Sequence, residues 1–198
     1  FVEAIRDFLN PEVLAELGED VLETVIDQLG PTQAAAAVAE LDTDDAVDII
    51  EDLDEEGRDQ LLKAVPEIER THIEKALSYP QDSAGRLMQP ELISVPAFWT
   101  IGQTIDHLRE SDDLPDEFYE IFVVDPTHKP IGSVPLNKAM RTKRAMVIGD
   151  IAKEEPVLIP VDMDQEDVAF LFQQYDLTSG PVVDASGRLL GVIMVDDI

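Results

Sequence analysis

Apolar residues in the first part of the chain return every 12 positions, at Leu17, Leu29, Leu41, Leu53, Val65 and Leu77. The residue that follows each is Gly18, Gly30, Asp42, Asp54, Pro66 or Ser78, a turn or cap former in every case. Each apolar position therefore closes one short helix. Asp42-Thr43-Asp44-Asp45 reads as a helix start with acid in its first turn, and Pro31 after Gly30 as a first helical position. Val38 with Leu41, Val47 with Ile50, and Leu61 and Leu62 with Val65 provide apolar faces at helical spacing. Helices of about eight residues do not hold alone in water. Residues 1–78 are therefore expected to stack into an all-α superhelical array, each helix covering its neighbour. The period matches none of the standard solenoid lengths, so no peptide-binding function is assigned from it.

The pattern changes after Tyr79–Pro90, a junction punctuated by Pro80, Gly85 and Pro90. Strands are expected at 92–95, 118–125 and 130–134, with a helix at 100–109 and a short one at 135–141. The set then repeats as a strand at 157–161, a helix at 165–175, and strands at 179–184 and 189–195. The repeat is visible in the residues themselves: Phe122-Val-Val-Asp-Pro-Thr-His-Lys-Pro-Ile-Gly132 is echoed by Pro181-Val-Val-Asp-Ala-Ser-Gly-Arg-Leu-Leu-Gly191. A duplicated strand-turn-strand unit with intervening helices predicts a pseudo-symmetric α+β pair at 91–198, the first copy at 91–148 and the second at 149–198. The first copy carries extra residues around Ser111–Glu117, read as a solvated acidic loop through Asp112, Asp113, Asp116 and Glu117.

Charge sharpens this outline. The chain holds 43 Asp and Glu against 14 Lys and Arg, a formal net charge of −29. Such a surface repels nucleic acid phosphates and anionic lipid heads, so no nucleic acid partner is expected. The helical part is the denser in acid, with 22 acidic and 5 basic residues among the first 78. An acidic protein's ordinary solvated surface explains part of this excess. Hard divalent cations, which take oxygen ligands, would gather the rest. With 44% hydrophobic residues the chain can build a core. The absence of Cys removes disulfides, thiolate metal sites and thiol catalysis. No run of 18 apolar residues and no secretory leader is visible.

The duplicated unit resembles the tandem cystathionine-β-synthase-type (CBS) pair, the Bateman module. The whole chain resembles the cytosolic part of the MgtE family of magnesium channels. That resemblance is carried by Ser83-Ala-Gly-Arg-Leu-Met-Gln-Pro90, Asp164-Gln-Glu-Asp-Val-Ala169, Tyr175-Asp-Leu-Thr178 and Val195-Asp-Asp-Ile198. It implies a magnesium-sensing regulatory region that closes around bound Mg2+ and thereby gates a divalent-cation channel. It further implies a homodimer formed through the CBS module, and a transmembrane pore domain beyond Ile198. The region would then lie at the cytoplasmic face of the cell membrane and be soluble as this piece. The metal ligands implied are Glu12, Asp44 and Asp48 in the helical N domain, and Asp164, Glu166, Asp176 and Asp197 in the tandem module, with Asp196 adjacent. Calcium or manganese would suit the same oxygens. Asp44 also reads as first-turn acid favoured by the helix dipole, and Asp164 as an N-cap weakly imitating a capping box with Asp167. Asp176 and Asp197 are harder to read as caps.

Tandem modules of this kind often bind adenine nucleotides through a Ser or Thr followed three residues later by Asp. Here the first copy offers Val134-Pro-Leu-Asn-Lys138 and the second Met194-Val-Asp-Asp197, so neither keeps both groups and nucleotide binding is disfavoured. A free-standing adenine-nucleotide sensor is the competing reading. An enzyme is not expected. His72 on an exposed helix face, His107 among apolar neighbours and His128 in a turn form no metal-spaced or nucleophile-base arrangement, and no phosphate-cradling Gly-rich loop is present. Trp99 reads as a partly buried anchor ahead of the helix from Thr100.

Overall fold

The computed structural model describes residues 10–111, 114, 115, 118–154 and 156–198. The expected acidic loop residues Asp112, Asp113, Asp116 and Glu117 lie outside the described residues. The chain separates into two compact units, 1–81 and 82–198. Among the described residues no helix is long and apolar enough to cross a membrane.

The first unit is an array of short helices: α1 (Glu12–Ala15), α2 (Glu19–Leu29), α3 (Pro31–Val38), α4 (Thr43–Glu51), α5 (Glu55–Ala64) and α6 (Glu67–Leu77). The 12-residue period sets the starts of α2 to α6 but only some of the ends: α2 and α6 close on Leu29 and Leu77 as expected. Gly18, Gly30, Asp42, Asp54 and Pro66 are the N-caps of α2 to α6, and Asp54 Oδ1 accepts the Gly57 N–H at 2.7 Å. The apolar residue before each cap packs into the core or against it; α3 and α4 end short of Leu41 and Leu53. Neighbours stack alternately, α3 on α5 and α4 on α6. At the α4 C-terminus Arg58 donates to the carbonyls of Ile50 and Glu51, each at 3.2 Å, satisfying two acceptors that the helix leaves open. One core runs through the unit from Leu14 and Leu22 to Ile73 and Ala76. His72 is half-buried in α6, not on an exposed face as expected.

The second unit starts with α7 (Ala84–Leu87). The first copy is then β1 (Ser94–Pro96), α8 (Ile101–Glu110), β2 (Glu120–Val124), β3 (Pro130–Pro135) and α9 (Leu136–Arg141). A 3₁₀ turn (Ile148–Asp150) and β4 (Lys153–Glu154) lead to the second copy, β5 (Ile159–Pro160), α10 (Gln165–Tyr175), β6 (Ser179–Val183), β7 (Leu189–Met194) and a closing 3₁₀ turn (Val195–Asp197). In each copy the first strand runs parallel to the second, which pairs antiparallel with the third. The registers coincide. Val123 faces Gly132 as Val182 faces Gly191, and each pair is followed by a bulge.

The copies exchange their leading segments. Segment 146–149 docks on the first copy, Ile101 donating to Met146, Ile148 to Trp99 and Gly149 to Ala97. Segment 82–85 docks identically on the second, Gln165 donating to Asp82, Ala84 to Met163 and Gly85 to Val161. Further along, β4 pairs with β3 at Ser133, and Gln89 exchanges two 2.8 Å bonds with Val192 in β7. Residues 82–90, expected as part of a junction, are thus folded into the second copy. The inner faces of the two sheets meet through Phe122 and Val124 from β2 and Leu189, Val192 and Met194 from β7, while Ile93, Val95, Ile101, Ile121 and Val134 form the first copy's own core. Trp99 is half-buried and set edge-on to His107, ring centroids 5.4 Å apart.

Each β-hairpin turn is organised by its Asp. Asp125 Oδ1 accepts the N–H of Thr127 (2.8 Å) and of Lys129 (3.0 Å); Asp184 Oδ1 accepts those of Ser186 (2.7 Å) and Arg188 (2.9 Å). These bonds favour the charged form, the Lys129 N–H foremost for Asp125 and the Arg188 N–H for Asp184, and hold both carboxyls below their usual range. A carboxyl lowered by folding stabilises the native state above its unfolded value and loses that contribution as pH falls through the folded one. Asp184→Ala should therefore lower the unfolding midpoint at neutral pH, and the part of that deficit owed to the charge should disappear as pH falls through the lowered folded-state value, below the ordinary Asp range. A denaturant titration repeated across pH checks both the deficit and its disappearance.

Candidate functional site

In the helical unit Glu12 lies on the exposed first turn of α1, its Oε2 accepting the Asn10 amide at 2.8 Å. Asp44 and Asp48 are one turn apart on α4 but differ in cover: Asp44 is 7% exposed, whereas Asp48 is open to solvent. In the tandem module Asp164 is the N-cap of α10, its Oδ1 accepting the Glu166 N–H at 2.9 Å. The bond goes to Glu166 rather than to Asp167, where a capping box would send it. Glu166 is exposed in the first turn. Asp176 and Asp197 take capping roles that the sequence hides. Asp176 ends α10 in the left-handed conformation (φ 51°, ψ 50°), and Asp197 Oδ2 accepts the Met194 N–H at 2.9 Å to start the last 3₁₀ turn. Asp196 beside it is exposed.

Glu12, Asp44 and Asp48 belong to the helical unit and the other four to the tandem module. Among the described residues no three acidic or histidine side chains converge on a metal-sized point. The donor chemistry of all seven nevertheless suits a hard divalent cation, because each supplies carboxylate oxygens.

The internal symmetry of the tandem module creates two related clefts where the copies meet. One, of about 10 Å³, is lined by Leu92, Phe118, Tyr119, Glu120, Phe122 and Met194. Its counterpart, of about 90 Å³, has Leu177, Thr178, Ser179 and Pro181 in the places of Phe118, Tyr119, Glu120 and Phe122, and adds Lys153 and Asp176. The larger side chains fill the first cleft and the smaller ones leave the second open. The open cleft is bordered by the sheet of the first copy, whose last strand leads to Asn137 and Lys138; the filled one is lined by Met194 in the strand that leads to Asp197. The space and the acid that a ribose would need thus fall on opposite sides. Glu120 lines both clefts and went unnoticed in the sequence, although aligning the two Val-Val-Asp phrases sets it against Ser179.

An array of short helices leading into two interlocked strand-helix copies defines a helical domain joined to a Bateman module. Residues 1–82 match the family model of the MgtE intracellular N domain and residues 148–198 that of the CBS domain, the register equivalences tying the first copy to the second. A crystal structure described as the soluble part of a magnesium transporter is 30% identical, with a TM-score of 0.87 over 98% of this chain and 78% of that one. That of the cytosolic domain of the Mg2+ channel MgtE in complex with ATP is 26% identical, with a TM-score of 0.69 over 99% and 91%. The Magnesium transporter MgtE of Bacillus subtilis is 26% identical over 94% of this chain and 42% of its own length. This chain belongs to the MgtE magnesium transporter family. The family is one of transport and regulation, not catalysis. The chain spans less than half the length of the curated relatives it matches.

Proposed function

We propose that this chain is the magnesium-sensing regulatory region of a divalent-cation channel, which closes around bound Mg2+ when the ion is abundant and loosens when it is scarce. The observation that carries the reading is the likeness over nearly the whole chain to the soluble part of a magnesium transporter. The acid excess supports it, because carboxylates crowded on a compact chain repel one another until a cation offsets their charge. On this reading Glu12, Asp44 and Asp48 in the helical unit and Asp164, Glu166, Asp176 and Asp197 in the tandem module supply oxygens, several of them through water retained by the ion. Calcium or manganese would compete for the same oxygens. Binding to the closed form alone is what allows the ion to shift the equilibrium. The region would act as a homodimer through its tandem module, at the cytoplasmic face of the membrane, on a pore carried by the same polypeptide.

Small-angle scattering with and without millimolar magnesium tests this. The radius of gyration is expected to fall on adding the ion, and a variant combining Asp44→Asn, Asp176→Asn and Asp197→Asn is expected to lose most of that response. An unchanged radius in the unaltered protein would sink the reading.

A relative solved in complex with ATP favours a second reading, a nucleotide-sensing module. Calorimetric titration with ATP and AMP separates the two, since tight nucleotide binding without a magnesium response belongs to the second alone.

A further inference from the structure

Glu120 stands at a position where the two copies differ in charge. It opens β2 opposite Pro135, just as Ser179 opens β6 opposite Met194, so one copy carries a carboxylate where the other carries a hydroxyl. Glu120 reaches across the internal symmetry axis. Its Oε1 accepts the hydroxyl of Ser133, from its own copy, at 3.3 Å, and its Oε2 that of Ser179, from the other copy, at 3.3 Å. Both serines are covered, at 5% and 4% exposure, so the carboxylate is fixed from two sides. It lines the open cleft together with Asp176, and among the described residues Lys153 is the cation lining that cleft. A ligand carrying several negative charges meets, among the described residues there, two carboxylates against one ammonium group. Fixed charges within about 10 Å at a partly covered surface change affinity by about tenfold each.

We infer that Glu120 sets the ligand specificity of the open cleft: its carboxylate turns the cleft against phosphate-bearing ligands, nucleoside di- and triphosphates foremost, while leaving neutral ligands of the same shape unaffected. The chain's own second copy supplies the comparison, because Ser179 shows what the backbone at this place tolerates without charge. The inference concerns the charge of the cleft and stands apart from the metal reading, so a failed magnesium response leaves it untouched.

The test is a calorimetric titration of the metal-free protein with ATP, AMP and adenosine, for the unaltered chain and for Glu120→Gln and Glu120→Ser. Glu120→Gln keeps the shape and an acceptor for the serines, and carries the charge test if Glu120→Ser disturbs folding. ATP should bind either variant about tenfold or more tighter than the unaltered chain, and AMP should gain less because it carries fewer charges. Adenosine should stay within about twofold, as a neutral ligand has no charge for Glu120 to repel. Equal ATP affinity in the unaltered chain and Glu120→Gln overturns the inference. So does adenosine gaining in step with ATP, or ATP failing to bind all three proteins, since shape would then govern entry.

Discussion

Replacing Gly191 by Ala should destabilise the tandem module by about 2–4 kcal/mol, more than an ordinary surface change, because the new methyl group has nowhere to go. A Cβ at Gly191 would sit 2.6 Å from the Gln89 carbonyl oxygen and 2.9 Å from Met88 Sδ. The thioether can swing aside. The carbonyl cannot, because Gln89 is held to Val192 by two 2.8 Å backbone bonds. Relief therefore requires the 82–90 segment to lift from β7 and lose those bonds, each worth about 1 kcal/mol. The thermal midpoint of the module should fall by roughly 10 °C. Gly132 holds the same position in the first copy, where a Cβ would meet Lys153 O and Ala152 Cβ, both at 2.9 Å, so Gly132→Ala should act in the same direction. At Gly18 a Cβ meets nothing within 4 Å, and Gly18→Ala should cost about 1 kcal/mol or less, through its weaker capping alone. Hydrogen exchange read at Gln89 and Val192 distinguishes a lifted segment from general loosening. Full protection there in Gly191→Ala would contradict the account.

The same glycines show where sequence reasoning stops. Their presence in the duplicated phrases was plain, and the phrases correctly announced a repeated hairpin with helices between. What the glycines make room for was invisible, because the strands that cross them come from before the other copy. Local pattern reports what a residue does within its own helix or strand, whereas Gln89 with Val192 and Lys153 with Ser133 are long-range pairings. Lys153–Glu154 has only two strand residues and no alternation to detect. The helical unit was easier to read, since caps are local: Gly18, Gly30, Asp42, Asp54 and Pro66 begin helices for reasons contained within a single turn. Even there, apolar residues expected to end helices often lie past the end, because burial in the core does not require helical backbone.

The carboxylates divide along the same line. Asp164 could be recognised as a cap from its neighbours alone. Asp197 could not, because its partner Met194 donates from the end of a strand whose position depends on the whole sheet. Asp44 looked no different from Asp45 or Asp48 in the sequence. Burial, a property of the folded unit, separates them.

That burial decides which carboxylate should matter most for the magnesium response. Interaction between an ion and a carboxylate strengthens as surrounding water is excluded, so on the proposed reading a contact at Asp44, 7% exposed, outweighs one at exposed Asp48. An ion that binds only the native state stabilises it by about 2.7 kcal/mol per site at a hundredfold excess over its dissociation constant. Millimolar magnesium should accordingly raise the thermal midpoint of the unaltered protein by several degrees. Asp44→Asn should lose most of that increment, and Asp48→Asn should keep more than half of it. The quantity to compare is the increment with and without the ion, because each substitution also alters contacts that the metal does not use. Calorimetric scans of the three proteins in chelator and in magnesium measure it directly. Equal increments in Asp44→Asn and the unaltered chain would remove Asp44 from the set of ligands.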